Sequence, residues 1–163
     1  MGRYELLLAC APELLCEAEL EPKPLRDTLK EQFSLHDEFA VSDVATATAG
    51  VKAAKADQAD LVILDVNLPD MDGREACKII RRNGYKGPVI MLTGQGSDSD
   101  TILGLDSGAN DYVTKPFRFG VLLARIRAHL RQHEHSEDAV FKVRSEEHTS
   151  ELQSRFGISY AVF

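Results

Sequence analysis

Tryptophan is absent from this chain of 163 residues, and cysteine is scarce, with three. Cys10, Cys16 and Cys77 form no CxxC pair and share no metal-ligand spacing with a histidine. That pattern fits a reducing, cytoplasmic compartment better than a disulfide framework. Positive charge is also short: 19 Lys and Arg stand against 26 Asp and Glu, a formal net charge of -7. An extended basic surface for nucleic acid is therefore not expected, and any work on DNA would need another module. No apolar run approaches the length of a membrane span, and the N-terminus has no basic region leading into an apolar core, so no membrane association is expected.

What is present is enough apolar material, 44% of residues, for one sizeable core and too little length for two full domains. From about residue 39 a rhythm repeats: a short apolar run, a turn, an amphipathic segment, then another apolar run. The runs Phe39 to Val44, Leu61 to Leu64, Val89 to Leu92 and Asp111 to Val113 read as strands of βαβ units in a parallel sheet. The second and third are continuously apolar, as strands covered on both faces are, and belong in its middle. Ala76, Ile79 and Ile80 share one helix face. Phe119, Leu122, Leu123, Ile126 and Leu130 share another at i, i+3, i+4, i+7 and i+11. Leu25, Leu29 and Phe33 form a third stripe after Pro22 and Pro24, residues suited to a helix start. Two stretches compete for the first strand, Tyr4 to Ala9 and Leu14 to Leu20.

Asp65 closes the run Leu61 to Leu64, so its carboxylate is expected at the carboxyl end of a central parallel strand, the edge where open α/β sheets bind ligands. Thr93 follows Val89 to Leu92, and Lys115 follows Tyr112-Val113-Thr114. Three strand ends thus bring a carboxylate, a hydroxyl and an ammonium to one edge. The set suits aspartyl-phosphate chemistry: the carboxylate attacks phosphorus while the ammonium and hydroxyl stabilise the transferring group. A divalent cation to screen carboxylate from phosphate is the missing part. Mg²⁺ suits a site of carboxylates, a carbonyl and waters, and would need a further acid near Asp65.

The segment Leu61-Val62-Ile63-Leu64-Asp65-Val66-Asn67-Leu68-Pro69-Asp70-Met71-Asp72-Gly73 resembles the phosphorylation segment of bacterial response regulator receiver domains. Met91-Leu92-Thr93-Gly94, Gly108-Ala109-Asn110-Asp111-Tyr112 and Lys115-Pro116-Phe117 resemble further motifs of that family, in the same order and at similar intervals. The resemblance covers roughly residues 14–132. It implies a flavodoxin-like (CheY-like) α/β three-layer sandwich with a five-stranded parallel sheet in the order 2-1-3-4-5, and a cis peptide before Pro116. It also implies that a histidine kinase phosphorylates Asp65, that the backbone carbonyl of Asn67 ligates Mg²⁺ beside the Asp65 carboxylate, and that Thr93 and Tyr112 form a switch pair. By the same resemblance the chain is a signalling phosphoacceptor, not an enzyme acting on a separate substrate. A phosphatase or phosphotransferase built on an aspartyl-phosphate would carry a DxD, and Asn67 stands where its second acid would be.

The sequence departs from the family where two adjacent acids are expected after the first strand. Aligned backward from Leu25-Arg26, that pair falls on Leu20-Glu21, which makes Glu21 the candidate metal acid, with Glu19 and Glu17 as alternatives. The run Leu122 to Arg131 resembles the last helix of OmpR-like regulators with a winged-helix DNA-binding domain, whose receivers form homodimers through the face of their fourth helix, fifth strand and fifth helix. Asp111 and Arg125 match positions that pair across that interface, and Val121 stands where an acid is usual. The expected organisation is a receiver over residues 1–132 with an irregular stretch at 1–20, then a linker and the start of a missing DNA-binding output domain over 133–143. Gln132 to Asp138 reads as the polar linker and Ala139 to Val143 as a first strand. Arg144 to Ser154 reads RSEEHTSELQS, which resembles the in-frame translation of a sequencing adapter, so residues 144–163 are expected to be a non-native tail. The competing function is a stand-alone receiver in a phosphorelay or partner-binding role without DNA.

Overall fold

A computed structural model describes residues 2–10, 25–56, 59–94 and 107–146, with side chains through Glu137. The chain divides into two compact units, Met1–Leu130 and Arg131–Phe163. The strands of the first are β1 (Tyr4–Ala9), β2 (Phe39–Val44), β3 (Leu61–Asp65), β4 (Val89–Thr93) and β5 (Asp111–Thr114). All neighbouring pairs run parallel, in the order β2-β1-β3-β4-β5, which is the expected flavodoxin-like sheet. The described helices are α1 (Leu25–Ser34), α2 (Ala47–Ala56), α3 (Gly73–Arg82) and α4 (Phe119–Glu146).

The two-residue period of the strands sorts the core into two layers. Leu6 and Leu8 of β1, Leu61 and Ile63 of β3, and Ile90 and Leu92 of β4 pack with Leu29 and Phe33 of α1 and with Leu122, Ile126 and Leu130 of α4. Leu7, Val62, Leu64, Val89 and Met91 point the other way, onto Ala47 and Ala54 of α2 and Ala76, Cys77 and Ile80 of α3. Leu61 to Leu64 are fully buried. Each such side chain contributes roughly 1.5–3 kcal/mol on leaving water, which explains why the continuously apolar runs take the centre of the sheet. Of the two candidates for the first strand, Tyr4–Ala9 forms it, and Leu6 to Ala9 are buried. Leu14 to Leu20 lies outside the described residues.

Local chemistry sets the helix ends that matter for the site. Asp72 caps α3 by accepting from the Arg74 N–H at 2.8 Å, and the Arg74 guanidinium holds the same carboxylate at 2.7 Å. Asp70, in the turn after β3, caps a different helix. Its Oδ1 accepts from the Ala47 N–H at 2.7 Å, and its Oδ2 accepts from the Thr48 N–H at 2.9 Å and the Thr48 hydroxyl at 2.6 Å. At Gly73 any side chain would collide with β3, since a Cβ there would lie 2.2 Å from the Asp65 carbonyl oxygen.

Arg81, in the last turn of α3, donates to the carbonyls of Gly108 (2.9 Å), Tyr85 (2.9 Å) and Gly87 (2.6 Å) and to Asn110 Oδ1 (2.6 Å). Asn110 Oδ1 also accepts from the Val89 N–H at 2.9 Å, and the Asn110 N–H donates to the Val89 carbonyl at 2.8 Å. One guanidinium therefore ties the end of α3 to the starts of β4 and β5.

The second unit departs from expectation. The helix α4 continues through Glu146, over the stretch read as a polar linker and a first strand. No glycine or proline interrupts Val121 to Glu146, so helix propensity carries the chain onward where the apolar stripe stops at Leu130. Ser136 Oγ donates back to the Gln132 carbonyl at 3.0 Å, and His133 Nε2 lies 3.3 Å from Glu137 Oε1, as neighbours one helical turn apart do.

Candidate functional site

The register of the sheet brings the site together. β1 pairs with β3 as Leu6↔Leu61 and Leu8↔Ile63, so the next position in step sets Cys10 opposite Asp65. β5 contributes Val113 to the layer under α1 and α4, and Lys115, two residues on, points to the same side. A carboxylate, a thiol and an ammonium thus meet at the carboxyl edge of three strands. Lys115 Nζ lies 2.7 Å from Asp65 Oδ2, the Cys10 thiol donates to the same oxygen at 3.4 Å, and the Asn67 N–H donates to Oδ1 at 3.0 Å.

Asp65 is 1% exposed. A buried carboxylate is costly unless paired and hydrogen-bonded, and these partners supply both needs. A carboxylate offers about four acceptor sites across two oxygens. Oδ2 carries two of the three contacts, which leaves Oδ1 a lone pair beyond the one taken by the Asn67 N–H. The peptide joining Lys115 to Pro116 is cis, as the resemblance implied. Burial first, and then the Asp65 carboxylate beside it, push the Cys10 thiol up to about 12, so the sulfur stays protonated.

Thr93 ends β4 on the strand next to β3, and its carbonyl accepts from the Lys115 N–H at 2.6 Å. Thr93 shares its strand face with Met91, whose partner in register is Tyr112. The two switch candidates therefore lie together on the α2 and α3 side of the sheet, opposite the face of Asp65, Cys10 and Lys115. Tyr112 is half-buried there.

Asp111 and Arg125 do meet, but inside one chain. Arg125 Nη1 donates to Oδ1 at 2.7 Å and Oδ2 at 2.9 Å, and His129 Nε2 sits 3.0 Å from Oδ2. Burial raises the Asp111 carboxyl, yet hydrogen bonds from Arg125, His129 and the Tyr112 N–H outweigh it and hold the group below its ordinary value. The residues expected to form the fourth helix of the dimer face, before Ser107, lie largely outside the described residues.

Glu21, Glu19 and Glu17 lie outside the described residues. Cys10 is the residue that sequence reasoning missed. Its signal was the strand pairing: with Tyr4–Ala9 as the first strand, the following position faces Asp65. For Mg²⁺ the described residues offer one carboxylate, Asp65, and the nearby Asn67 carbonyl. Among the described residues no group of three His, Cys, Asp or Glu side chains could hold a metal ion. A protonated thiol is a poor ligand for a hard cation that prefers oxygen. The described residues by themselves do not fit Mg²⁺.

A family model described as "Response regulator receiver domain" matches residues 21–127. The chain is 43% identical over 113 residues to the transcriptional regulatory protein CseB of Streptomyces coelicolor, across 68% of this chain and 48% of that protein. It thus spans about half the length of that relative. Among solved structures it is similar to the receiver domain of the sensor histidine kinase PA1611 from Pseudomonas aeruginosa, with a magnesium ion coordinated in the active site cleft. There the identity is 27% and the TM-score 0.64, over 79% of this chain and 98% of the other. A CheY-like receiver from Methanospirillum hungatei shares the fold with a TM-score of 0.72 at 24% identity, covering 83% of this chain and 99% of that one. Among the described residues no helix is long and apolar enough to cross a membrane.

Proposed function

Because this chain belongs to the response regulator receiver domain family of two-component signalling, we propose that Asp65 accepts a phosphoryl group from a sensor histidine kinase. The observation that carries the reading is the buried Asp65 carboxylate held 2.7 Å from Lys115 Nζ at the carboxyl edge of the sheet. The Oδ1 lone pair attacks phosphorus, an O–P bond forms, and the bond from phosphorus to the donor's nitrogen breaks with its electron pair staying on the donor. Lys115, already facing the carboxylate, neutralises charge gathering on the phosphoryl oxygens. The Thr93 hydroxyl, at the end of the adjacent strand, supplies a hydrogen-bond donor once it turns from the opposite face of the sheet towards the phosphoryl group. Water later cleaves the acyl phosphate, so the chain turns over its own phosphate and acts on no separate substrate.

The phosphoryl group adds nearly two negative charges at the edge shared by Thr93. Thr93 turns towards the new acceptor and Tyr112, on the same strand face, follows into the space it leaves. This change reaches β5 and α4, whose outer face carries Asp111 and Arg125, and a homodimer forms there. A DNA-binding module controlled by that dimer is part of the proposal. It is supported by the name of the CseB relative, of which this chain matches about half, and by the likeness of α4 to the last helix of OmpR-like regulators. A cytoplasmic setting accords with Cys10 and Cys77 being buried cysteines that form no disulfide.

The test is incubation with acetyl phosphate followed by intact-mass analysis of the parent and of Asp65→Asn. One phosphoryl adduct on the parent, absent from the variant, is expected. An adduct that survives in Asp65→Asn overturns the assignment.

A further inference from the structure

We propose that Cys10 stands in place of a metal-binding carboxylate, so that this site holds its phosphoacceptor with a thiol and an ammonium and binds Mg²⁺ only weakly. The inference rests on the reading of Asp65 as phosphoacceptor and concerns how that carboxylate is charge-compensated. The juxtaposition is of Cys10 Sγ and Lys115 Nζ on one carboxylate oxygen, at 3.4 Å and 2.7 Å.

Three observations converge. The β1–β3 register places Cys10, and no acid, directly opposite Asp65 at the strand ends. Both Cys10 and Asp65 are 1% exposed, so the pair is built into the core edge rather than lying loosely on the surface. Oδ2 of Asp65, which faces the first strand, is already occupied by two hydrogen-bond donors, and a cation on that oxygen would have to displace them. Mg²⁺ demands near-octahedral oxygen ligands and gives up its waters reluctantly, so one carboxylate and one carbonyl make a poor site. Lys115 already supplies a positive charge to the carboxylate, and the thiol orients it by donating a hydrogen bond without adding negative charge. Cys10 is on this account a positioning residue, and phosphoryl transfer from a small acyl phosphate should depend little on Mg²⁺.

The experiment is a metal titration of the full chain, with Mn²⁺ followed by electron paramagnetic resonance and Mg²⁺ by calorimetry, and it requires no phosphorylation. The expected result is no saturation of the parent through the low millimolar range. Cys10→Asp should bind at least about tenfold more tightly, in line with the effect of ligand-sphere changes on metal affinity. Cys10→Ser, which keeps a donor, should behave like the parent. Sub-millimolar saturation of the parent overturns the proposal, as does binding by the parent that Glu21→Gln removes. A folded Cys10→Asp that binds no better than the parent also overturns it. If Cys10→Asp does not fold, the parent and Glu21→Gln titrations decide alone. Failure of the phosphoacceptor reading shows separately, as an acetyl phosphate adduct that survives Asp65→Asn.

Discussion

Asp111 and Arg125 form a two-pronged ion pair within one chain, with Nη1 2.7 Å from one carboxylate oxygen and 2.9 Å from the other. The same two residues match positions expected to pair between subunits, so the homodimer proposed above would exchange the internal bond for an external one. Arg125 is 46% exposed, and exposed pairs of this kind contribute only about 0–1 kcal/mol. Arg125→Ala is therefore expected to leave the urea midpoint of the monomer nearly unchanged while weakening the phosphorylated dimer several-fold in sedimentation. A large loss of monomer stability with an unaltered dimer would refute the exchange.

Lys115→Met should act on both stability and chemistry. Removing the ammonium leaves a carboxylate that is 2% exposed with two weaker donors, a loss of about 1–3 kcal/mol by denaturant titration. Phosphorylation by acetyl phosphate should slow by about 10²–10³, the usual cost of losing one preorganised donor. A variant phosphorylated at the parental rate would remove Lys115 from the mechanism.

Gly73→Ala tests the close approach of α3 to β3. The added methyl would sit 2.2 Å from the Asp65 carbonyl oxygen, backbone that cannot swing aside as a flexible side chain does. About 1–3 kcal/mol of destabilisation is expected, together with slower phosphorylation because the strand end carrying Asp65 must shift. An unchanged unfolding midpoint would mean that the helix start has more room than its geometry indicates.

Asp70 gives a pH signature. Its carboxyl is lowered to about 2, chiefly by the Thr48 hydroxyl and then by the Thr48 and Ala47 N–H groups. A folded-state value below the unfolded one, about 3.9, means that the stabilisation is present above the unfolded value and is lost as pH falls towards 2. The parent should therefore lose more thermal stability than Asp70→Asn between about pH 4 and pH 2. Parallel curves for the two proteins would show that the cap carries no such dependence.

The middle of the sheet was readable because β3 and β4 announce themselves as continuously apolar runs, and Asp65, Thr93 and Lys115 follow such runs directly. The last helix was readable from its stripe as far as Leu130. Cys10 was not, because one thiol carries no spacing signal and its meaning depends on which stretch forms β1 and on the register of that strand with β3. The Asp70 cap on α2 joins residues 22 and 23 apart in sequence and exists only once the turn after β3 has folded over α2. Beyond Leu130 the polar composition predicts a linker, whereas the chain continues as a helix. Propensity without an apolar stripe is a weaker mark than periodicity, and it was this weaker mark that governed the conformation.

The guanidinium of Arg81 makes the opposite edge of the sheet cooperative. Freeing the last turn of α3 breaks bonds to Gly108 and Asn110 in the same event, and Asn110 in turn holds both backbone groups of Val89. Amide protons at the starts of β4 and β5 should then exchange with solvent only in openings nearly as costly as global unfolding. The sheet is riveted at the end away from Asp65, so the rearrangement proposed to follow phosphorylation would be confined to the other end.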